Sequence, residues 1–140
     1  MRHRLLGLVT LSAGLLMAAT PAVAHHSFAA EFDSSKAVTL TGTVTKIEWT
    51  NPHAWFYINV KDETGAVANW GFEMGPPHLL QRQGWTRDTM KIGDQVTVAG
   101  TLAKNGTKRG NARNVTMAAG PQKGQRLGAA SSENNTNTNQ

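Results

Sequence analysis

Hydrophobic and polar residues alternate with a period of two along the middle of the chain, from residue 35 to residue 118. This period places every second side chain on the same face of an extended segment, so it predicts β-strands. The first predicted strand has hydrophobic residues at Val38, Leu40 and Val44. Ile47 then falls on the opposite parity, and such a change requires a β-bulge or a strong bend.

The second and third predicted strands form a hairpin. They are the segments AWFYINV, from Ala54, and AVANWGFEM, from Ala66. The polar segment KDETG between them ends in glycine and has the composition of a tight turn. Alternation within the second strand leaves Trp55, Tyr57 and Asn59 on the face that points away from the hydrophobic core.

A short helix is predicted after the third strand. The segment GPPHLLQRQGW has prolines where a helix begins, leucines in the first turns and Gly84 at its end. Beyond it, a fourth strand is predicted with Val96, Val98 and Leu102 on one face, and residues 112–117 make the fifth strand.

Three strands, a short helix and two strands within residues 37–119 match the order of an OB-fold, which is a five-stranded, partly open β-barrel. We therefore predict a mainly β protein with a small OB-like barrel, and a different small barrel or an open sandwich is the alternative. The side chains expected to face the interior are Val38, Leu40, Val44, Phe56, Ile58, Trp70, Phe72, Val96, Val98 and Val115.

The first 24 residues have the parts of a secretory signal peptide in the correct order. Two arginines give a basic start, residues 5–19 are mostly apolar, and residues 22–24 match the small-residue pattern of a cleavage site. The apolar run is short for a membrane span. We predict cleavage between Ala24 and His25, with export to the periplasm or the medium, and an uncleaved anchor helix is the alternative.

The chain after this cleavage site divides into three segments. A lead segment, residues 25–36, precedes the barrel domain, residues 37–119, and a polar tail follows at residues 120–140. The tail is rich in Gly, Ser, Asn, Thr and Gln, with Leu127 as its one large apolar residue, so we predict that it is disordered. The remaining length is enough for one small domain.

Composition restricts the chemistry of the mature chain. The sequence has 14 Lys and Arg residues against 9 Asp and Glu, and loss of the two signal-peptide arginines lowers the net charge from +5 to +3. This modest charge weakens an inference of nucleic-acid binding. The absence of cysteine excludes disulfides, thiolate metal sites and thiol catalysis.

Six motifs between His25 and Gly120 occur together in this sequence. They are HHSFAAEFD, VTLTGTVTKIEWTNPHAWFYI, NWGFEMG, RQGWTRD, GDQVTVAG and NARNVT. Together they resemble an uncharacterised family of small exported bacterial proteins. The resemblance implies a bacterial, exported, periplasmic setting, and it implies no activity and no catalytic residue.

The sequence contains no glycine-rich phosphate loop, HExxH pair, GxSxG elbow or recognisable carboxylate pair, so we do not expect an enzyme. We predict a protein that binds a small ligand or a protein partner and requires no cofactor. OB-folds bind on the outer face of strands two and three and on the adjoining loops. The candidate residues there are Trp55, Tyr57, Asn59, Lys104, Lys108 and Arg109.

These aromatic and basic side chains are of the types that stack on and neutralise single-stranded nucleic acid, and they also suit an oligosaccharide. Export argues against nucleic acid as the partner. The alternative is that the four tryptophans mostly fill the interior and rim of a small barrel, which needs large side chains.

Histidines offer a different candidate site. A free amino terminus at His25 would chelate copper or zinc through its amine and ring nitrogens, and His26, His53 or His78 would complete the ligand set. We expect the first strand to begin opposite the loop that carries His53, so residues 25–36 would have to fold back along it. The alternative is that His53 fixes its loop, His78 caps the helix and the terminal pair is frayed.

Overall fold

The computed structural model describes residues 28–130, and the fold of these residues is mainly β. Two short helices and six strands follow in chain order: α1 (Phe28–Glu31), β1 (Phe32–Glu48), β2 (Trp55–Lys61), β3 (Val67–Glu73), α2 (Pro77–Arg82), β4 (Gln95–Ala103), β5 (Arg109–Met117) and β6 (Arg126–Gly128). The predicted β-rich class and the short helix between the third and fourth strands are confirmed. The predicted signal peptide lies outside the described residues. No helix among residues 28–130 is long and apolar enough to cross a membrane.

The six strands form one sheet in the order β3-β2-β1-β4-β5-β6, in which neighbouring strands are antiparallel. An additional parallel pairing joins residues 71–73 of β3 to residues 109–111 of β5. Because β3 is hydrogen-bonded to β2 on one side and to β5 on the other, the sheet curls around a single interior. A sixth strand, which the sequence analysis did not predict, extends the sheet beyond β5.

The parity change predicted in the first strand is a β-bulge. The pairing of β1 with β2 shifts register between Val44 and Lys46, so that Val44 lies opposite Ile58 and Ile47 lies opposite Phe56. Val44 is buried on one side of the bulge, while Ile47 packs against the core on the other. The extra residue therefore lets a long strand bend and keep its hydrophobic side chains inward on both sides of the bend.

Large apolar side chains from β1 to β5 fill the interior. Of the ten residues predicted to face inward, seven are buried: Val44, Phe56, Ile58, Phe72, Val96, Val98 and Val115. The other three, Val38, Leu40 and Trp70, are half-buried and pack against this core. The Phe56 and Phe72 rings stack with centroids 5.7 Å apart at the centre of the β2–β3 pair. The periodicity therefore predicted the interior side of each strand, with one exception in β4.

That exception is Leu102, which we predicted on the same face as Val96 and Val98. It is only half-buried, whereas its neighbours Thr101 and Ala103 are buried. The pairing of β4 with β5 shifts register between Ala99 and Gly100, where β5 carries one extra residue, and the buried positions of β4 change parity next to this point, at Gly100 and Thr101. The prediction for Leu102 is wrong because this irregularity lies in the pairing of β4 with β5, and the sequence of β4 alone does not indicate it.

The lead segment is partly structured, and the first strand begins earlier than predicted. Residues 28–31 form α1, and β1 starts at Phe32 instead of at residue 37. Phe32 is 3% exposed and pairs with Ala103 of β4. The backbone N–H of Lys104 donates to the Glu31 carbonyl at 2.9 Å, which attaches α1 to the end of β4.

The first part of the polar tail is also ordered, so the prediction of disorder from residue 120 onward is wrong there. Residues 126–128 form β6 against β5, and Ala129 and Ala130 are buried. The Trp85 indole N–H donates to the Gly128 carbonyl at 2.7 Å. The composition did not predict this strand because its three residues include one large apolar side chain, Leu127, and the buried residues after it are alanines. Residues 131–140 lie outside the described residues.

The predicted hairpin turn between β2 and β3 is organised by Asp62. Its carboxylate accepts hydrogen bonds from the backbone N–H of Thr64 at 2.9 Å, from the Thr64 hydroxyl at 2.6 Å and from the Ala66 N–H at 3.0 Å. Gly65 has a φ of 89°, a left-handed conformation that glycine adopts without strain. The Thr64 hydrogen bond is the largest influence that lowers the pKa of Asp62 below its ordinary value of 3.8.

We expect Asp62→Asn to lower the melting temperature at pH 7, because the amide is a weaker acceptor than the carboxylate. A carboxylate whose pKa is depressed on folding stabilises the fold above its unfolded pKa, and this stabilisation is lost as the pH falls through the lower folded value. The difference between parent and variant should therefore shrink as the pH falls below 3.8. Thermal unfolding followed by circular dichroism at several pH values measures it. A difference that persists unchanged at low pH would contradict the assignment.

The ordered part of the tail should contribute to stability. The free energy of unfolding of a chain that ends at Gly120 should be about 2–3 kcal/mol lower than that of a chain that ends at Ala130. The shorter chain lacks β6 and the two buried alanines that follow it. Trp85→Phe in the longer chain should cost about 1 kcal/mol through loss of one hydrogen bond. Urea unfolding measures both values. Equal stability of the two truncated chains would show that residues 121–130 do not pack as described.

Candidate functional site

The outward side of β1, β2, β3 and β5 carries a connected group of aromatic, charged and amide side chains. Trp55 of β2 lies opposite Glu48 of β1 and Glu73 of β3, and Tyr57 lies opposite Lys46 and Gly71. Side chains of directly paired residues project to the same side of a sheet. We call this surface the aromatic face, and its members are Lys46, Glu48, Trp55, Tyr57, Asn59, Asn69, Gly71, Glu73 and Arg109.

Gly71 lets the Tyr57 ring lie close to the sheet at the middle of the aromatic face. A methyl group at Gly71 would lie 3.0 Å from Cε1 of Tyr57 and 3.9 Å from the Trp55 ring. Tyr57 and Trp55 are both half-buried. The glycine therefore fits under the two aromatic rings, and a side chain there would push the Tyr57 ring outward.

Each aromatic ring of this face is paired with a cation. The Arg109 guanidinium lies 4.7 Å from the centroid of the Trp55 ring, and the Lys46 ammonium lies 5.2 Å from that of Tyr57. Such contacts hold the cation against the negative face of the ring. Arg109 belongs to β5 and is aligned with Gly71 by the parallel β3–β5 pairing, which places it over β2.

Glu48 connects Lys46 and Tyr57. Its carboxylate lies 2.5 Å from the Lys46 ammonium and accepts a hydrogen bond from the Tyr57 hydroxyl at 3.2 Å. The hydrogen bond from Lys46 is the main influence that lowers the pKa of Glu48, and Glu48 in turn raises the pKa of Lys46. Both groups are therefore charged at neutral pH.

Amide side chains extend the aromatic face toward the β2–β3 turn. The Asn69 amide nitrogen donates to the Asn59 side-chain oxygen at 2.8 Å and to the Thr45 hydroxyl at 3.0 Å. Asn59 and Asn69 are exposed. They orient planar polar groups beside the aromatic rings, and such groups form hydrogen bonds with hydroxyls and amides of a ligand.

His53 and Glu73 form a pair at the opposite end of the aromatic face. Nδ1 of His53 contacts Oε1 of Glu73, and the Glu73 side chain is 9% exposed while that of His53 is 27% exposed. Two backbone hydrogen bonds fix the loop before β2 to the end of β3, from Ala54 N–H to the Gly75 carbonyl and from Met74 N–H to the Ala54 carbonyl.

Burial of Glu73 is the largest influence on its carboxyl group and raises its pKa. The nearby Glu31 carboxylate also raises the Glu73 pKa, whereas His53 and Arg109 oppose this change. Glu31 is the last residue of α1, and the next residue, Phe32, pairs with Ala103 of β4. The parallel pairing also aligns Glu73 with Asn111, a buried residue of β5.

The predicted candidates separate into those on the aromatic face and those elsewhere. Trp55, Tyr57, Asn59 and Arg109 belong to it. Lys104 is directed to α1, because its ammonium donates to the Ala29 carbonyl at 2.5 Å. Lys108 is exposed in the loop before β5, and its carbonyl accepts the Gly71 N–H at 3.0 Å.

The histidine candidates are not assembled within the described residues. His53 pairs with Glu73, and His78 is exposed on α2. His25 and His26 lie outside residues 28–130. Within that range, no group of three or more His, Cys, Asp or Glu side chains is arranged to hold a metal ion.

The tryptophans have separate environments. Trp85 is buried, and Trp49 and Trp70 are half-buried against the core, which agrees for these three with the alternative that the tryptophans mostly fill the interior and rim. Trp49 and Trp85 also line a shallow cavity with Met74 and Met90. Trp55, in contrast, lies on the aromatic face under Arg109.

Sequence reasoning missed five members of the aromatic face: Lys46, Glu48, Asn69, Gly71 and Glu73. The signal was available for the three residues on β3, because Trp70 and Phe72 were placed inward and Asn69, Gly71 and Glu73 alternate with them. Lys46 and Glu48 were hidden by the bulge in β1, since their positions depend on the register after the parity change.

The fold and this face define a small, mainly β domain with one continuous sheet and an outward aromatic surface. The chain belongs to a family of unknown function, DUF6152, whose model matches residues 13–116. This confirms the resemblance to an uncharacterised family. No curated protein matches the chain.

Packing of Tyr57 over Gly71 can be tested with a double-mutant cycle. Gly71→Ala should lower the free energy of unfolding by about 1–2 kcal/mol, because the added methyl group crowds the Tyr57 ring. The same substitution should cost nothing in a Tyr57→Ala background, where the ring is absent. Urea unfolding of the four proteins provides the coupling energy. An equal cost in both backgrounds would show that the added methyl group does not crowd the Tyr57 ring.

Proposed function

We propose that the mature chain is an exported, non-enzymatic binding domain that recognises an oligosaccharide on its aromatic face. The observation that carries this proposal is the arrangement of Trp55 and Tyr57 side by side on β2, with the Arg109 guanidinium stacked over the Trp55 ring. Flat rings pack on the apolar faces of sugars, and the surrounding amide, carboxylate and guanidinium groups suit sugar hydroxyls.

An OB-like barrel is the finer architecture that we propose for β1 to β5. Support comes from the antiparallel pairing of β1 with both β2 and β4, from the parallel β3–β5 pairing and from α2 between β3 and β4. In barrels of this class, the outer face of the second and third strands binds oligosaccharides and oligonucleotides. The aromatic face occupies this position.

The charges of the aromatic face favour an oligosaccharide over a nucleic acid. Lys46 is paired with the Glu48 carboxylate, which leaves Arg109, stacked on Trp55, as the one cation of this face without a salt bridge among the described residues. A nucleic-acid site needs a surplus of positive charge to displace counterions from the phosphates. A ligand without net charge avoids this requirement.

Export is proposed from the sequence of residues 1–24, whose basic start, apolar run and small-residue site are those of a secretory signal. Cleavage after Ala24 places the domain in the periplasm or the medium, where glycans are abundant and nucleic acid is scarce. An oligosaccharide ligand is therefore consistent with the proposed export of the domain.

The test uses the tryptophan fluorescence of the mature protein during titration with chitohexaose, with cellohexaose and with a poly(dT) oligonucleotide. Saturable binding of at least one oligosaccharide is expected. Trp55→Ala should weaken this binding at least about tenfold, as expected for a central aromatic contact. Arg82→Ala is the matched control, because Arg82 is an exposed cation on α2.

Two outcomes would overturn the proposal. The first is oligosaccharide binding that Trp55→Ala leaves unchanged, since the ligand would then lie elsewhere. The second is binding of poly(dT) without binding of either oligosaccharide, which would assign the face to nucleic acid. Circular dichroism of each variant verifies that the fold is retained.

A further inference from the structure

Arg109 has a fixed position on the aromatic face but no salt-bridge partner. Its guanidinium lies 4.7 Å from the centroid of the Trp55 ring. No ion pair and no side-chain hydrogen bond within residues 28–130 includes this guanidinium. Its N–H donors are therefore available to a ligand, and a guanidinium presents them as a fork that matches the two oxygens of a carboxylate.

The fold holds Arg109 at both ends of its side chain. At the backbone, Arg109 is aligned with Gly71 of β3, and its N–H donates to the Thr107 carbonyl at 2.8 Å. At the other end, the contact with Trp55 holds the guanidinium against the ring. A side chain that is already ordered loses less conformational entropy when it binds an anion. The position of Arg109 therefore favours the binding of a negatively charged group beside Trp55.

The two carboxylates that flank Trp55 are occupied by other groups. Glu48 lies 2.5 Å from the Lys46 ammonium and accepts the Tyr57 hydroxyl at 3.2 Å. Glu73 contacts His53, and burial raises the pKa of this carboxyl group. Neither carboxylate forms a salt bridge with Arg109. Arg109 is thus the cation of this face that a ligand can pair with at no loss of an existing salt bridge.

The surroundings of Arg109 indicate the kind of anion that fits. The rings of Trp55 and Tyr57 and the exposed amides of Asn59 and Asn69 are suited to a sugar chain. One cation without a salt bridge is too little for a row of phosphates, which needs several positive charges. It is enough for a single carboxylate carried on a sugar ring.

We propose that the aromatic face prefers acidic oligosaccharides that contain uronic acid residues, and that Arg109 determines this preference by pairing with a uronate carboxylate. The inference rests on the proposed oligosaccharide binding and adds the substrate class. Arg109 forms two parallel hydrogen bonds to the carboxylate, while the neighbouring rings and amides contact the sugars. A neutral oligosaccharide would use the rings and amides alone and would bind more weakly.

The experiment compares two ligands that differ only in charge. The first is a hexasaccharide in which glucuronic acid alternates with N-acetylglucosamine, and the second is its carboxyl methyl ester. Tryptophan fluorescence and isothermal titration calorimetry of the mature protein provide both affinities. The acid should bind about 10-fold to 100-fold more tightly than the ester, which is the effect expected of hydrogen bonds to a charged group.

Substitutions of Arg109 test its role. Arg109→Gln should remove the preference for the acid over the ester. Arg109→Lys keeps the charge but loses the fork, so it should retain only part of the preference. Arg113→Gln is the matched control, because Arg113 is an exposed arginine of the same strand and is not part of the aromatic face. It should keep the full preference.

Several results would overturn this inference. Equal affinities of the parent for acid and ester would do so while leaving oligosaccharide binding intact, whereas failure of every oligosaccharide to bind would overturn both proposals. A preference that persists in Arg109→Gln would place the carboxylate elsewhere. Binding of a hexaglutamate peptide as tightly as the acidic hexasaccharide would show that the sugar is not recognised. Circular dichroism of each variant verifies that the fold is retained.

Discussion

Three residues of parallel pairing between β3 and β5 determine how the candidate site is arranged. Gly110 makes this pairing possible, because a methyl group there would lie 2.8 Å from the Thr101 carbonyl oxygen and 2.9 Å from Cε1 of Phe72. The Gly71 N–H donates to the Lys108 carbonyl and extends the same contact. β5 can therefore lie close to β3 and β4 at once, and the sheet curls around the Phe56–Phe72 stack.

This pairing also gives Arg109 its position. Alignment with Gly71 places its guanidinium over Trp55, and from there its charge lowers the pKa of Glu48 and opposes the raised pKa of Glu73. One cation thus acts on carboxylates at both sides of Trp55. A ligand that displaces Arg109 from the ring would change the electrostatic environment of both carboxylates, so the aromatic face and the His53–Glu73 pair are not electrically independent.

The local sequence pattern predicted most of the strand interiors but little of the site. Alternation in β2 placed Trp55, Tyr57 and Asn59 outward, and the parity change at Ile47 indicated the bulge in β1. The contact of Arg109 with Trp55 depends on strands far apart in the chain, which no local period reports. β6 was missed because its three residues, Arg126 to Gly128, include a single large apolar side chain, which is too few for a period-two pattern. Residues 1–27 and 131–140, including the terminal histidines, lie outside what the structure describes.

Glu73 is difficult to explain by stability alone. Removing a carboxylate from water costs free energy, and a buried pair with histidine is often no more stabilising than apolar residues of similar size. Glu73 is itself only 7% exposed, so an apolar side chain would suit this position if packing were the only requirement. What Glu73 adds is the orientation of His53 and negative charge at the end of the sheet that α1 approaches. The buried acid therefore fixes the orientation of a partly exposed imidazole at the end of β3, which an apolar residue of similar size would not do.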